Sequence, residues 1–412
     1  MILRAFAAAF ALSLAAPSWA GEGPNWRNVD ETTGQIRDVD GLEQLARDFP
    51  DSGTVRLRML QPLLAAGKVE KVMETFEWLY DRGYVFSDVA QEQIPKLLEG
   101  VDPGRIAERL RAEAEVIEAS EVVATVPAEH QLVEGAGRTA TGSIVAGSIL
   151  ASTIAVSDRE GNWISIEGLS GDAYGPMVRK GETSFWMSSG APDMITYKKN
   201  AFHGVFLLNA ETGDISRSIK APDEGFPSDI AVGSNGCVFA SDPFEGKVYS
   251  ACKGDVELHT LIAPGTFRSP QGLATSADNT KLYVSDYRYG IAVIDLETRD
   301  VSRLASDIPV ILDGVDGLWR YGNELIAVQN GTSPMRISAF ELSENGMRVI
   351  GHRVLEQAHG EWTEPLSGSI DGDALIYVGN GQWDRYFEGE LKEGMEALPT
   401  QIRRLPLLPA GE

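Results

Sequence analysis

The chain has 412 residues, of which 43% are hydrophobic and 23% charged, a composition typical of globular rather than disordered proteins. Its formal net charge of −24 argues against a nucleic acid as partner, because affinity for nucleic acids comes largely from Lys and Arg side chains that neutralise phosphates. The same charge disfavours docking to anionic lipid, and the 43 glycines and 20 prolines fit a turn-rich all-β fold.

The first twenty residues have the pattern of a cleavable signal peptide. Arg4 supplies a positive start, and residues 5–16 form an apolar run that is too short to span a bilayer. Ser18-Trp19-Ala20 is a small-x-small cleavage motif, so we expect the chain to be cut after Ala20 and exported to the periplasm or secreted. No later segment of the sequence is long and apolar enough to predict a membrane-spanning helix.

Residues 21–120 predict a small α-helical prefix. Apolar residues recur at helical spacing over 41–49, 54–67, 68–84 and 103–119. Gly67 and Gly83 stand where helix C-caps are expected, and the pair over 54–84 has the length of one tetratricopeptide unit. One such unit cannot bury its own apolar face. We therefore expect the prefix to pack on the rest of the chain, as a structural cap, or on a protein partner.

Residues 121–412 predict an all-β six-bladed β-propeller. The clearest repeats, 226–255, 269–300 and 312–342, each contain a short apolar strand, a turn, a second strand ending in Asp or Asn, and a third strand. The markers that begin the first strands are spaced 41 to 54 residues apart, and they are Glu134, Gly175, Asp229, Gln271, Asp316 and Glu364. Residues 121–127 are β-rich, and we expect them to add a strand to the last blade and so remove an exposed sheet edge.

The second blade is the weakest copy of the repeat. Its first strand, 173–178, has no acidic residue at the marker position, and it carries the longest insertion, 189–204. That insertion is either a lid over the axis or a surface loop; its larger side chains are Met194, Tyr197, Lys198 and Lys199.

The two cysteines, Cys237 and Cys252, flank a predicted hairpin symmetrically about the turn 243–246. Symmetric pairing places them opposite each other on adjacent antiparallel strands, close to disulfide distance. An exported protein allows oxidation. We therefore predict a cross-strand disulfide, with two reduced thiols as the alternative.

A propeller brings equivalent positions of its blades to one central axis. The pairs Glu134-Gly135, Gln271-Gly272 and Asp316-Gly317 begin three blades, and Asp229 and Glu364 occupy the same position in two others. Like charges at close range raise one another's pKa, and a hard divalent cation with oxygen ligands removes that repulsion. The alternative is that these acids only accept hydrogen bonds from inner-strand amides.

With these markers, residues 130–405 resemble the gluconolactonase–regucalcin family, six-bladed propellers that hydrolyse sugar lactones. The prefix followed by the propeller, and the segment EPLSGSI…YVGNGQWDRY at 364–386, are similar to exported bacterial proteins of that type. The resemblance implies one divalent cation held by Glu134, Gln271 and Asp316, with Asp316 also the catalytic acid/base. Gln271 stands where the family has Asn, and GFPSD (225–229) lacks the family's substrate-binding Arg.

Oxygen donors suit Ca²⁺, Mg²⁺ or Mn²⁺ better than Zn²⁺, so we expect Ca²⁺ as the cation, with Mg²⁺, Mn²⁺ or Zn²⁺ as alternatives. We expect the remaining axial and loop side chains to contact the substrate, namely Asp229, Asn330, Glu364, Asn380, Gln382 and Trp383. The alternatives are that Asn330 is a fourth ligand, or that Asn330-Gly331 and Asn380-Gly381 are plain turns. The first functional hypothesis is thus an exported metal-dependent hydrolase of a small-molecule lactone or related ester. The second is a non-catalytic periplasmic propeller whose prefix docks a protein partner, because fold alone does not decide function.

Overall fold

The computed structural model describes residues 24–98, 108–110, 113–166, 173–190, 201–222 and 225–408. The predicted signal peptide, and the lid candidates Met194, Tyr197, Lys198 and Lys199, lie outside these ranges. Within the described ranges, no helix is long and apolar enough to cross a membrane.

Five α-helices lie wholly within the described part of the prefix, and residues 108–110 are also helical. Their bounds are Glu31–Gln35 (α1), Val39–Asp48 (α2), Gly53–Ala65 (α3), Val69–Tyr80 (α4) and Asp88–Leu97 (α5). The helices predicted over 41–49, 54–67 and 68–84 correspond to α2, α3 and α4. Gly67 and Gly83 follow α3 and α4 with φ of 68° and 70°, in the left-handed conformation that favours glycine at a helix end.

The helix predicted over 103–119 is wrong in its last part, since residues 113–119 are not helical. Ile117 forms an antiparallel bridge with Gln357, and the N–H groups of Ala119 and Ser120 donate to the buried carboxylate of Glu356. These contacts with blade five and its neighbour satisfy the backbone donors outside a helix. Residues 101–107 and 111–112 lie outside the described ranges.

Within the described ranges, residues from 121 onward form six four-stranded antiparallel blades, one of which has an extra strand. Blade one contains Val133–Arg138, Ile144–Ser148, Ile154–Ser157 and Trp163–Ile166. Blade two contains Ala173–Lys180, Ser184–Gly190, Gly204–Asn209 and Ile215–Lys220. Blade three contains Ile230–Val232, Val238–Asp242, Lys247–Ala251 and His259–Ile262.

Blade four contains Pro270–Thr275, Lys281–Asp286, Gly290–Asp295 and Val301–Arg303. Blade five contains Gly317–Tyr321, Glu324–Gln329, Arg336–Leu342 and Arg348–Gln357, with Ala305–Ser306 added in parallel at its edge. Blade six contains Gly368–Asp371, Ala374–Val378, Thr400–Pro406 and Glu121–Val126. A 3₁₀ turn, Trp383–Arg385, and a short hairpin, Tyr386–Phe387 with Glu390–Leu391, lie in the long loop of blade six.

The six blades close into a ring. Each innermost strand contacts the innermost strands of both neighbouring blades, and blade six contacts blade one in this way. The predicted closing strand is confirmed, because Glu121–Val126 pairs antiparallel with Thr400–Pro406 at the outer edge of blade six. The protein is therefore the all-β six-bladed propeller with a small helical N-terminal region that the repeats predict.

The glycines after the markers allow neighbouring blades to approach closely at the axis. A Cβ atom on Gly272 would lie 2.4 Å from the backbone nitrogen of Leu318, and one on Gly135 would lie 2.8 Å from the Cα of Pro176. Neither glycine has a positive φ, so close contact rather than a special turn requires them. The N–H of Gly272 donates to the carbonyl of Asp316 at 2.8 Å, which ties blade four to blade five.

The prefix packs its apolar face on blades three and four. Leu42, Leu45, Phe49, Val55 and Leu63 share one buried cluster with propeller residues that include Phe239, Phe267 and Tyr289. The Phe49 ring lies 4.9 Å from the Tyr289 ring and 5.0 Å from the Trp26 ring. The expectation that the prefix packs on the rest of the chain is thus met, and its apolar face is covered.

The beginning of α3 binds a buried carboxylate of the propeller. Asp313 accepts hydrogen bonds from the N–H groups of Gly53 at 2.7 Å and Thr54 at 2.8 Å, and its Oδ2 lies 3.2 Å from the Ser52 hydroxyl. A carboxylate at a helix N-terminus satisfies free N–H groups and interacts favourably with the helix dipole. Asp313 precedes the marker Asp316 by three residues, so this contact holds the segment that leads into the axis.

The predicted disulfide is present between Cys237 and Cys252. Val238 pairs with Ala251 on adjacent antiparallel strands, so the two cysteines are the next pair outward, as the symmetric hairpin predicts.

Candidate active site

A cavity of about 460 Å³ opens at the axis, where the inner strands begin. Six of the predicted site residues line it, as does the blade-two marker Gly175; the six are Glu134, Gln271, Asp316, Asn330, Glu364 and Trp383. Because strands alternate in direction within a blade, the start of each inner strand lies beside the end of the second strand. The residues at the starts of inner strands and at the ends of second strands therefore meet at the mouth of the axial cavity, as the repeat predicts.

Carboxyl groups from several blades influence one another at the axis. Burial raises the pKa of Glu134 well above its usual value, the charge of Asp316 raises it further, and a hydrogen bond from Trp383 opposes the shift. Burial, and secondarily the charge of Glu364, raises the pKa of Asp316 to about 7, against a hydrogen bond from Asn330. Burial and then Asp316 raise the pKa of Asp229, and burial and then Asp384 raise the pKa of Glu364.

Among the described residues, the cavity lining contains no Lys, Arg or His. The acids therefore face one another without a cationic side chain of the lining to offset them. Such a cluster is stabilised by protons or by a bound cation.

Asp316 is the marker residue whose carboxyl group is most available to a ligand. Its Oδ2 atom is buried and has no hydrogen-bond partner, which is unusual for a buried polar atom. Asn330 is fixed beside it, since its Oδ1 accepts from the Tyr287 hydroxyl at 2.8 Å and its Nδ2 lies 3.2 Å from the carbonyl of Pro365. The Oδ2 atom of Asp316 is thus available to a ligand, beside an Asn330 side chain that is fixed by its own hydrogen bonds.

Glu134 and Gln271 are each oriented by one partner. The indole N–H of Trp383 donates to Oε2 of Glu134 at 2.6 Å, which joins blade six to blade one. The amide nitrogen of Gln271 donates to the Ser269 hydroxyl at 3.0 Å. That bond uses the donor end of the Gln271 amide, and the carbonyl oxygen is the end that serves a cation.

The donor set of Glu134, Gln271 and Asp316 is chemically suited to a hard cation, because it offers oxygens only and includes the unpartnered Oδ2 of Asp316. In the described part of the chain, no group of three or more His, Cys, Asp or Glu side chains is arranged to hold a metal ion. The predicted set contains only two carboxylates and relies on an amide for its third ligand.

Three predicted contact residues do not line the cavity. Asp229 is buried, and Ser367 of blade six donates to it at 3.4 Å across the ring. Asn380 accepts from the N–H of Gln401 at 2.6 Å. The side-chain amide of Gln382 donates to the carbonyl of Leu398 and accepts from the N–H of Leu398. Asn380 and Gln382 therefore stabilise the returning loop of blade six.

Sequence reasoning did not single out Tyr287, Phe226 and Phe244, which also line the cavity. Tyr287 and Pro243 directly follow second strands that end in Asp286 and Asp242, and Asn330 has the equivalent place after Gln329. The signal was therefore present in the repeat, one residue beyond the strand end. Phe226 carries no such signal, because it lies in the connection between blades two and three.

No protein-family model matches the sequence, and no curated protein sequence matches it. Among solved structures, virginiamycin B lyase from Staphylococcus aureus is 14% identical, with a TM-score of 0.46 over 64% of this chain and 82% of that one. A gluconolactonase from Xanthomonas campestris is 12% identical, with a TM-score of 0.44 over 70% and 89%. An aldose sugar dehydrogenase from Streptomyces coelicolor is 15% identical, with a TM-score of 0.44 over 71% and 97%.

These likenesses are too distant to indicate what this chain does. The fold follows from the sheet order and the ring of inner strands. Fold and cavity together define a six-bladed propeller with an acidic axial cavity.

Proposed function

We propose that the chain is a hydrolase of a small-molecule lactone or related ester, and that the reaction takes place in the axial cavity. The observation that carries the proposal is Asp316, whose buried Oδ2 has no protein partner, in a cavity where carboxyl groups of several blades meet. A carboxyl group in that position is able to accept a proton from water that attacks an ester carbonyl.

The neighbours of Asp316 give each group a role. Asn330 lies with Asp316 in the cavity lining, and the Tyr287 hydroxyl orients Asn330 through the 2.8 Å hydrogen bond. Trp383 holds Glu134 in one orientation through its indole N–H. Positioned groups of this kind contribute to rate by keeping the reacting atoms aligned.

Glu134, Gln271 and Asp316 would hold a divalent cation, and we propose Ca²⁺. When bound, the cation supplies a Lewis acid for the substrate carbonyl and offsets the repulsion among the carboxylates. We also propose export to the periplasm or outside the cell, on the signal-peptide pattern of residues 1–20. N-terminal sequencing of the mature protein should then begin at Gly21.

The second candidate is a non-catalytic propeller whose prefix docks a protein partner. A partner would have to use the part of the prefix that is not packed on blades three and four, such as α5, whose Val89 and Leu97 are exposed. We favour the hydrolase because the cavity is open and six of the predicted site residues line it.

The test is hydrolysis of a panel of lactones and esters by the wild type and by Asp316→Asn, after chelation and after addition of Ca²⁺, Mg²⁺, Mn²⁺ or Zn²⁺. Loss of a general base typically lowers kcat by about 10²–10⁴-fold, so Asp316→Asn should show that loss. Glu356→Gln is the matched control, because Glu356 is also buried but bonds to Ser120 and Tyr377, outside the cavity.

Bound metal is measured separately by elemental analysis and calorimetry. Stoichiometric metal in the wild type and its loss in Glu134→Gln support the cation site. No turnover of any panel member, or equal losses in Asp316→Asn and Glu356→Gln, contradicts the hydrolase.

A further inference from the structure

The wall of the axial cavity contains apolar side chains in addition to the acidic residues. The apolar side chains include Ile149, Pro176, Phe226, Phe244, Leu366 and Trp383, from four of the six blades or the connections before them. A ligand that enters must therefore place much of its surface against apolar atoms. Burial of polar groups without hydrogen-bond partners is unfavourable, whereas burial of apolar surface is favourable.

Several polar groups of the wall already have partners within the protein. The Tyr287 hydroxyl donates to Asn330, and the Ser269 hydroxyl accepts from Gln271. These bonds reduce what the wall offers to a ring that carries many hydroxyl groups. The lining of the described residues also lacks Lys and Arg, which recognise a carboxylate or phosphate.

Phe226 and Phe244 form an aromatic lip at the cavity. Their ring centroids are 5.0 Å apart at an angle of 59°, and Phe244 is 46% exposed. A large aromatic side chain with that exposure at the edge of a cavity gains apolar contact when a ligand covers it.

The lip is held in place before any ligand binds. Asp242 accepts hydrogen bonds from the N–H of Phe226 at 3.1 Å and from the Tyr249 hydroxyl at 2.9 Å. Gly190 leaves room for the Phe226 ring, because a Cβ atom there would lie 2.1 Å from Phe226 Cδ2. Fixed aromatic contacts lower the entropy lost on binding.

We infer, on the basis of the proposed hydrolase function, that the substrate is an uncharged lactone or ester with an alkyl or aromatic group, which packs on Phe226, Phe244 and Trp383. The reacting carbonyl then lies toward Asp316, and the apolar group lies toward the lip. The volume of about 460 Å³ is within the range of small-molecule sites and accommodates a ring with such a side group.

The test compares γ- and δ-lactones of increasing alkyl chain length, an aromatic ester and glucono-δ-lactone as substrates. The value of kcat/KM should rise with chain length by up to about fourfold per methylene, the factor that corresponds to full burial of a CH₂ group. Phe244→Ala should flatten that dependence. Phe387→Ala is the control, since Phe387 is 66% exposed but lies outside the cavity, and it should retain the wild-type dependence.

A second measurement is independent of turnover. Calorimetric binding of alkyl lactams, which resist hydrolysis, should tighten with chain length in the wild type and less so in Phe244→Ala. A preference for glucono-δ-lactone, or kcat/KM independent of chain length, overturns the inference and leaves the hydrolase intact. If no lactone or ester is hydrolysed, the hydrolase is overturned. The lactam series then decides the inference, which fails if affinity does not depend on chain length.

Discussion

Replacing Asp313 with Ala should strongly destabilise the protein, although Asp313 lies outside the cavity. The change removes the carboxylate that accepts from the N–H groups of Gly53 and Thr54 and from the Ser52 hydroxyl. The N–H groups of Gly53 and Thr54 then lie between the prefix and blade five without a partner. The segment from Asp313 to Asp316 also loses the contact that holds it to the prefix.

The expected loss of stability follows from the hydrogen bonds that Asp313 accepts. A hydrogen bond to a charged group contributes about 1.5–3 kcal/mol, and a buried donor without a partner is unfavourable by about 1–3 kcal/mol. Burial opposes the gain, because it raises the pKa of Asp313 and so disfavours the carboxylate. Two N–H groups lose their partner, each at about 1–3 kcal/mol, so we expect the free energy of unfolding to fall by about 2–5 kcal/mol.

The assay is urea unfolding followed by circular dichroism and tryptophan fluorescence. Asp38→Ala is the matched control, because Asp38 caps α2 through a single exposed hydrogen bond to the N–H of Gly41. Loss of an exposed cap should destabilise by about 1 kcal/mol. If the two variants differ by less than about 0.5 kcal/mol, the Asp313 contact does not hold the prefix as argued.

Three further predictions concern the ring. Because burial raises the pKa of Asp316 to about 7, the folded chain binds this proton more tightly than the unfolded chain. The free energy of unfolding should therefore fall as the pH rises from 4 to 7, by up to about 4 kcal/mol at 1.36 kcal/mol per pKa unit. Equal stability in urea at pH 5 and pH 8, measured without metal, contradicts this. Reduction of Cys237–Cys252, which are 15 residues apart, should lower stability by at most about 3 kcal/mol, and a chain that unfolds completely on reduction contradicts this. Gly272→Ala should destabilise by at least about 1–3 kcal/mol, because the new Cβ would lie 2.4 Å from a backbone nitrogen of blade five, whereas Gly34→Ala, with open space, should be close to neutral in the same denaturation assay.

The propeller was predictable because each blade repeats the same local pattern. The markers Glu134, Gln271 and Asp316 lie at starts of inner strands, and ring closure brings such positions together whatever lies between them. The closing strand was predictable for a related reason, since an unpaired edge of the last blade requires a partner.

The role of a loop residue is harder to predict from the sequence, because contacts within the loop decide where its side chain lies. Asn380 and Gln382 have the strand-end position of a contact residue, but the segment up to Gln401 returns and takes their hydrogen bonds. Phe226 reaches the cavity from a connection that has no repeat register. Residues 113–119 have a helical apolar pattern, but the N–H of Ile117 donates to Gln357 and the N–H groups of Ala119 and Ser120 donate to the buried Glu356.

The strand Glu121–Val126 has a consequence for biosynthesis. Its partner, Thr400–Pro406, is synthesised long after it, and contacts such as Arg403 with Ser120 join residues 283 positions apart. In a nascent chain that lacks Thr400–Pro406, blade six is open, because Glu121–Val126 and Ala374–Val378 both lack the strand that pairs with them. Bringing such distant segments together is slow, since the loop entropy is lost before the contacts form. Truncations near the C-terminus should therefore yield chains that associate edge to edge rather than shortened monomers.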